Sequence, residues 1–288
     1  RPGKLVPGLA TEWKVDDADK KKWIFKLRPG VTFHDGSPFN ADAVVWNVDK
    51  VLKQDAPQFD ASQVGVTASR MPTLASASKI NDMTVELTTK EPDSFLPINL
   101  TNLFMASPAQ WQKLFAAAEG ADAKAKSQAA WAAFAKAASG TGPWKMSSFT
   151  PRERLELVKN DNYWDKARVP KVDKMVLLPM PEANARTAAL LSGQVDWVEA
   201  PAPDALPEAG RAGGATVGPL KVAIGRRIRQ HEPARRVGAV AISDLFRAHR
   251  VLLRLRHLLQ RADDGLLAGG DIDGAALAAV VLEPDLAR

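Results

Sequence analysis

The chain has 288 residues, enough for one large domain or two of ordinary size. Hydrophobic residues make up 45% and charged residues 25%, a globular balance with material for a core. Cysteine is absent, which excludes disulfide frameworks, thiol nucleophiles and cysteine-ligated zinc. No run of about 18 apolar residues offers a membrane-spanning helix. The net charge of +6 is unevenly held. Residues 1–210 carry 26 Lys+Arg against 25 Asp+Glu, whereas residues 211–288 carry 13 against 8. The same boundary separates 19 Lys and 7 Arg from 1 Lys and 12 Arg, and all eight Trp precede it. Inferences about anionic partners therefore concern only the last segment.

Arg1-Pro2-Gly3-Lys4 lacks the apolar core of a signal peptide, so the chain is either cytosolic or has lost its beginning. Trp13 and Val15, then Trp23, Phe25 and Leu27, alternate with polar residues across an Asp-rich turn and predict a hairpin. Arg28-Pro29-Gly30 and His34-Asp35-Gly36-Ser37-Pro38 predict turns. Asn40 is an N-cap before Val44, Val45, Val48, Val51 and Leu52 at helical spacing. A second hairpin turns at Asn81-Asp82, with Ile80 on one side and Val85 and Leu87 on the other. Residues 111–138 are Ala-rich and predict one or two helices, broken by Ser139-Gly140-Thr141-Gly142-Pro143. Beyond Trp144 the pattern is β-rich, with Leu155 and Leu157 alternating and Met175–Leu178 as a buried strand. Residues 182–192 read as a helix stopped by Gly193, 195–198 as a strand and 203–208 as a short helix.

Few residues suggest catalysis. His34-Asp35 has the composition of an acid/base or metal pair, but no second His lies at ligand spacing, and a solvated turn is the expectation. Gly140-Thr141-Gly142 lacks the Lys-Ser/Thr of a phosphate loop, and Pro143 removes an amide. No nucleophile elbow, HExxH or EF-hand loop occurs, so no enzymatic activity, cofactor or metal site is expected.

Four segments share one resemblance. Trp23–Val31 followed by Phe33–Val44, Gly140-Thr141-Gly142-Pro143-Trp144, Asn160-Asp161-Asn162-Tyr163-Trp164, and Arg186–Asp196 resemble signature stretches of the family 5 extracellular solute-binding proteins. These are the binding components of peptide, opine and nickel ABC importers. The resemblance covers residues 1 to about 208. It implies an α/β fold of the periplasmic-binding-protein type (type II, cluster C), with mixed β-sheets flanked by helices and the second lobe missing. On that reading residues 1–138 form an extra subdomain of the first lobe and residues 139–210 part of its main sheet domain. It further implies a periplasmic or extracytoplasmic monomer that captures a small solute, an oligopeptide by default, in an interlobe cleft. Hinge closure would then present it to a membrane permease.

Within the resemblance, the segment after the second hairpin tends to face the cleft. Here that segment supplies Asn102, Leu103 and Phe104. Asn102 can donate to and accept from an amide ligand, and Phe104 can line an apolar wall. A core-facing helix end is the alternative for this stretch. Trp197, at a strand end, is a further candidate.

Residues 211–288 depart from the family pattern and form an Arg/Ala-rich segment expected to be helical or poorly ordered. A frameshift or truncated gene is the expected source of the abrupt change in composition. The rival reading makes the first part a co-opted binding lobe and the tail a basic helix. Arg247, Arg250, Arg254, His257 and Arg261 on one side would then bind nucleic acid or an anionic surface.

Overall fold

The computed structural model describes residues 5–198, 215–216, 223–224 and 277–283. The proposed basic helix of residues 247–261 lies outside the described residues, as does the short helix expected at 203–208. The chain divides into two units, Arg1–Gly142 with Asn162–Lys166, and Pro143–Asp161 with Ala167–Arg288.

The first unit is built on a four-stranded antiparallel sheet. Strands β1 (Ala10–Val15), β2 (Lys22–Leu27), β3 (Leu74–Asn81) and β4 (Thr84–Thr89) lie in the order β1-β2-β4-β3. The first hairpin turns where the Asp16 carboxylate accepts from the amides of Ala18 and Asp19. Its register sets Trp13 opposite Phe25, and Phe25 opposite Val85 on β4. Helix α1 (Ala41–Leu52) starts where the Asn40 side chain accepts from the Ala43 amide at 3.0 Å. It packs its valine face, Val44, Val48 and Val51, into a core shared with Phe25, Leu27, Leu74 and Leu87. Helix α2 (Val64–Arg70) follows before β3.

The Ala-rich stretch forms two helices, α4 (Pro108–Ala117) and α5 (Ala123–Lys136), after a short α3 (Leu96–Asn99). Two local constraints separate α4 from α5. A Cβ on Gly120 would lie 2.5 Å from the Lys126 backbone nitrogen, so only glycine fits there. Asp122 then caps α5 by accepting from the Ala125 amide at 2.7 Å. The two helices close over Trp46 of α1, whose ring centroid lies 5.6 Å from Trp111 and 6.2 Å from Trp131. Trp111 stacks on Phe115 at 4.8 Å, and Phe134 meets Trp131 edge-on at 5.4 Å.

Residues 162–166 belong to this unit because of their aromatic pair. Tyr163 is buried, and Trp164 packs against the main core with the Arg28 guanidinium 4.6 Å above its ring. Arg28 Nε also donates to the Gly8 carbonyl, so one side chain fixes both the start of β1 and the Tyr-Trp insertion.

A side-chain knot joins three distant turns of the first unit. The His34 Nδ1 accepts from the Gly140 amide at 3.3 Å, and its Nε2 donates to the Gly142 carbonyl at 2.9 Å. The His34 amide donates to the Gly140 carbonyl at 2.8 Å. Next to it, the Asp35 carboxylate accepts from the hydroxyls of Ser37 and Ser107, and the Asp35 amide donates to Ser139 Oγ. Ser107 also caps α4. His34 and Asp35 are thus more than the solvated turn expected of them. Asp35 and Gly36 are exposed, but the half-buried His34 ring satisfies backbone groups more than 100 residues away, and Ser139 Oγ accepts from the Asp35 amide in return.

The second unit is a seven-stranded sheet in the order β5-β6-β7-β11-β8-β10-β9. Its strands are β5 (Trp144–Thr150), β6 (Arg154–Lys159), β7 (Lys174–Pro179), β8 (Trp197–Val198), β9 (Ala215–Thr216), β10 (Ala223–Ile224) and β11 (Leu277–Glu283). Every pairing among the described residues is antiparallel. Helix α6 (Ala183–Ser192) ends at Gly193, which adopts φ 76°, and Gly193 donates back into the last turn. Buried Arg186 donates through Nη1 to the carbonyls of Met180 and Pro181, fixing the approach to α6. Part of the 211–288 segment is therefore strand. Its apolar, β-branched run Leu277–Glu283 pairs with β7 and β8.

Two outcomes follow for stability. Asn40→Ala removes the cap of α1 and is expected to lower the free energy of unfolding by about 1 kcal/mol, with Asn40→Asp close to wild type in urea titrations. The second concerns acid. Burial pushes the Asp35 carboxyl up, but hydrogen bonds from Ser107, Ser37 and Ser139 outweigh it and hold the group below the ordinary carboxylate range. A carboxyl lowered in the folded state stabilises above its unfolded value, and that contribution disappears as pH falls through the folded one. Asp35→Asn is expected to flatten the acid limb of stability, measured as urea midpoints from neutral pH to about pH 3.

Candidate functional site

The segment after the second hairpin is built from short turns. Helix α3 leads into a 3-10 turn over Leu100–Asn102, and extended backbone then runs to Ser107 at the head of α4. Leu96 and Leu103 anchor this segment in the core of the first unit. Leu103 thus takes the core-facing alternative, and it can offer a solute little besides its backbone. Asn102 and Phe104, on either side of it, are half-buried. The Asn102 Nδ2 donates to the Asn99 carbonyl at 2.9 Å, and among the described residues its Oδ1 accepts no hydrogen bond.

The extended stretch is held from behind by two polar residues of α1. Asn47, fully buried, makes a two-way clasp with Ala106. Its Oδ1 accepts from the Ala106 amide at 2.8 Å, and its Nδ2 donates to the Ala106 carbonyl at 2.9 Å. The Nδ2 also donates to Ala43 within the helix. Lys50 is 1% exposed, and its Nζ donates to the Phe104 carbonyl at 2.8 Å and to Asn47 Oδ1 at 3.1 Å. The Trp131 ring centroid lies 5.9 Å from the same ammonium. Sequence reading missed both residues. The signal was an Asn and a Lys set among the valines of an otherwise apolar helical face.

Trp197 belongs to the second unit, whereas Asn102, Leu103 and Phe104 belong to the first. Trp197 sits on β8 opposite Val280 and Ile224, is 3% exposed, and its Nε1 has no hydrogen-bond partner among the described residues.

The remaining polar chemistry is structural. His34, Asp35 and Ser107 have the composition of a hydrolytic triad but not its connectivity. The Ser107 hydroxyl donates to Asp35, while both His34 ring nitrogens serve the backbone of the Gly140–Gly142 turn. That turn also directs its Gly140 and Gly142 carbonyls at His34, which is the wrong polarity for a phosphate. Among the described residues no cluster of His, Asp and Glu could hold a metal ion, and no helix is long and apolar enough to cross a membrane.

Comparison with known proteins agrees with this frame. Residues 4–239 match the family of bacterial extracellular solute-binding proteins, family 5 middle. The match runs beyond residue 208, where the motifs stop, into the arginine-rich stretch. The chain is 29% identical over 204 residues to heme-binding protein A of Haemophilus influenzae, covering 67% of this chain and 35% of that protein. It is 28% identical over 209 residues to the dipeptide-binding protein of Escherichia coli K12, covering 69% and 37%. The chain thus spans about a third of the length of these relatives. Its fold is that of a dipeptide-binding protein from Pseudoalteromonas sp. SM9913 solved with Met-Leu. That likeness has a TM-score of 0.59 at 22% identity and covers 73% of this chain and 41% of that one. A nickel ABC transporter structure from Bacillus halodurans gives a TM-score of 0.52 at 28% identity, over 72% and 37%. With the fold, the motifs and the matched length in agreement, the chain belongs to the family 5 bacterial extracellular solute-binding proteins.

Proposed function

We propose that this chain is the solute-capturing part of an ABC-type importer, working outside the cytoplasm as a monomer and passing its cargo to a membrane permease. The observation that carries the reading is the family match over residues 4–239. The signature motifs it contains serve as scaffold here: a core strand, a backbone knot, an aromatic insertion and a helix stop. Such a protein binds and releases without chemistry, in keeping with the structural use of His34, Asp35 and Ser107. Residues 1–138 act as the extra subdomain of the binding lobe and residues 139–210 as part of its main sheet.

A peptide is the favoured solute. One relative is named for dipeptides and another, at 29% identity, for glutathione, itself a tripeptide. Asn102 offers an open acceptor and a carboxamide donor to a peptide unit, Leu103 its backbone, and Phe104 an apolar wall. Trp197, on the second unit, is a separate candidate whose indole N–H has no acceptor among the described residues.

Nuclear magnetic resonance titration with the dipeptide Met-Leu tests the reading. Saturable shifts are expected at the Asn102 side-chain amide and the Phe104 ring, with a Kd on the order of 1 mM or tighter. Phe104→Ala should weaken binding about tenfold, equivalent to about 1.4 kcal/mol. Shifts that avoid all of these groups, or no saturation with Met-Leu, glutathione or heme, would defeat it.

A further inference from the structure

We propose that Asn47 and Lys50 are positioning residues that set where Asn102 and Phe104 stand. The inference deepens the solute-binding reading and rests on it for the role of those two side chains. Asn47 and Lys50 are three residues apart on α1 and so project from one face. Between them they satisfy the Phe104 carbonyl, the Ala106 amide and the Ala106 carbonyl. These are groups that a neighbouring strand would otherwise satisfy. Residues 103–107, extended at Leu103 and at Ser107, belong to neither sheet. Helix side chains therefore stand in for the missing ladder, and the two-way Asn47–Ala106 clasp mimics an antiparallel pair.

Burial makes the arrangement specific. An ammonium and a carboxamide at this depth tolerate few alternatives, because every other placement leaves buried polar groups unmet. A slip of the segment by one residue would aim a different carbonyl at Lys50 and take Leu103 out of its place in the core. The α1 base is itself immobile, since Val44, Val48 and Val51 pack on the sheet and Asn40 caps its start. At the far end the Ser107 amide donates to the Ser139 carbonyl, which prevents the segment from sliding towards α4.

The test is amide hydrogen exchange on the intact chain, comparing wild type with Lys50→Met and Asn47→Leu, changes that roughly preserve volume. In wild type the Ala106 amide should exchange far more slowly than the amide of exposed Thr101, and at a rate similar to Val85 within the β2–β4 ladder. Equal rates for Ala106 and Thr101 would overturn the proposal whether or not the variants fold. In the variants, Ala106 exchange should rise at least about tenfold while Val85 is unchanged. Met-Leu shifts at Asn102 and Phe104 should weaken about tenfold. If Ala106 and Val85 accelerate by the same factor, the pair serves global stability alone and the proposal fails. If the exchange pattern holds but wild type shows no Met-Leu shift at Asn102 or Phe104, the solute reading fails and the positioning of the segment stands.

Discussion

One imidazole governs how the first unit is finished. His34 satisfies the Gly140 amide with one ring nitrogen and the Gly142 carbonyl with the other, and Gly142 is the last residue before the chain leaves that unit. The glycine-rich turn is too short and irregular to satisfy these groups within itself. Without His34 they would have to find water or remain unpaired beside the half-buried ring. Asp35 repeats the device for Ser107, and so for the start of α4. The family's turn motifs therefore act on each other. The residues of one complete the backbone of the next.

The same logic recurs at three other places among the described residues. Arg186 satisfies the residues before α6, Arg28 those before β1, and Asn47 with Lys50 those before α4. Each is a long or amide-bearing side chain reaching from an ordered element to loop carbonyls. The pattern suits a binding protein. In such proteins generally, loops that face a ligand need fixed shapes yet cannot be covered by further strands without closing the site.

What the sequence discloses follows the range of the forces involved. The β1–β2 hairpin, the start of α1 at Asn40 and the stop of α6 at Gly193 were all readable, because each depends on residues within one or two turns of chain. The division of α4 from α5 was half readable. Asp122 is a recognisable cap, but the intolerance of Gly120 to a side chain depends on how the chain doubles back onto Lys126. The roles of His34 and Lys50 were hidden, since their partners lie at residues 140–142 and 104 and no local pattern announces them. Trp46, Trp111 and Trp131 form a packed cluster, so the aromatic richness of the first part serves the interior here. In the candidate segment, the burial of Leu103 between two half-buried neighbours was not readable.

The place of β11 has a consequence for biosynthesis. It lies between β7 and β8, although roughly eighty residues separate Val198 from Leu277 along the chain. The second unit thus has a high contact order, and its sheet cannot be joined across the middle until residues 277–283 have been made. Until then the inner edge of β7, with buried Met175, Val176 and Leu177, waits unpaired. The first unit needs nothing beyond residue 166 and can form earlier on the ribosome. Nascent chains should therefore pass through a stage in which a finished amino-terminal module carries an open, aggregation-prone strand edge, the kind of surface chaperones shield.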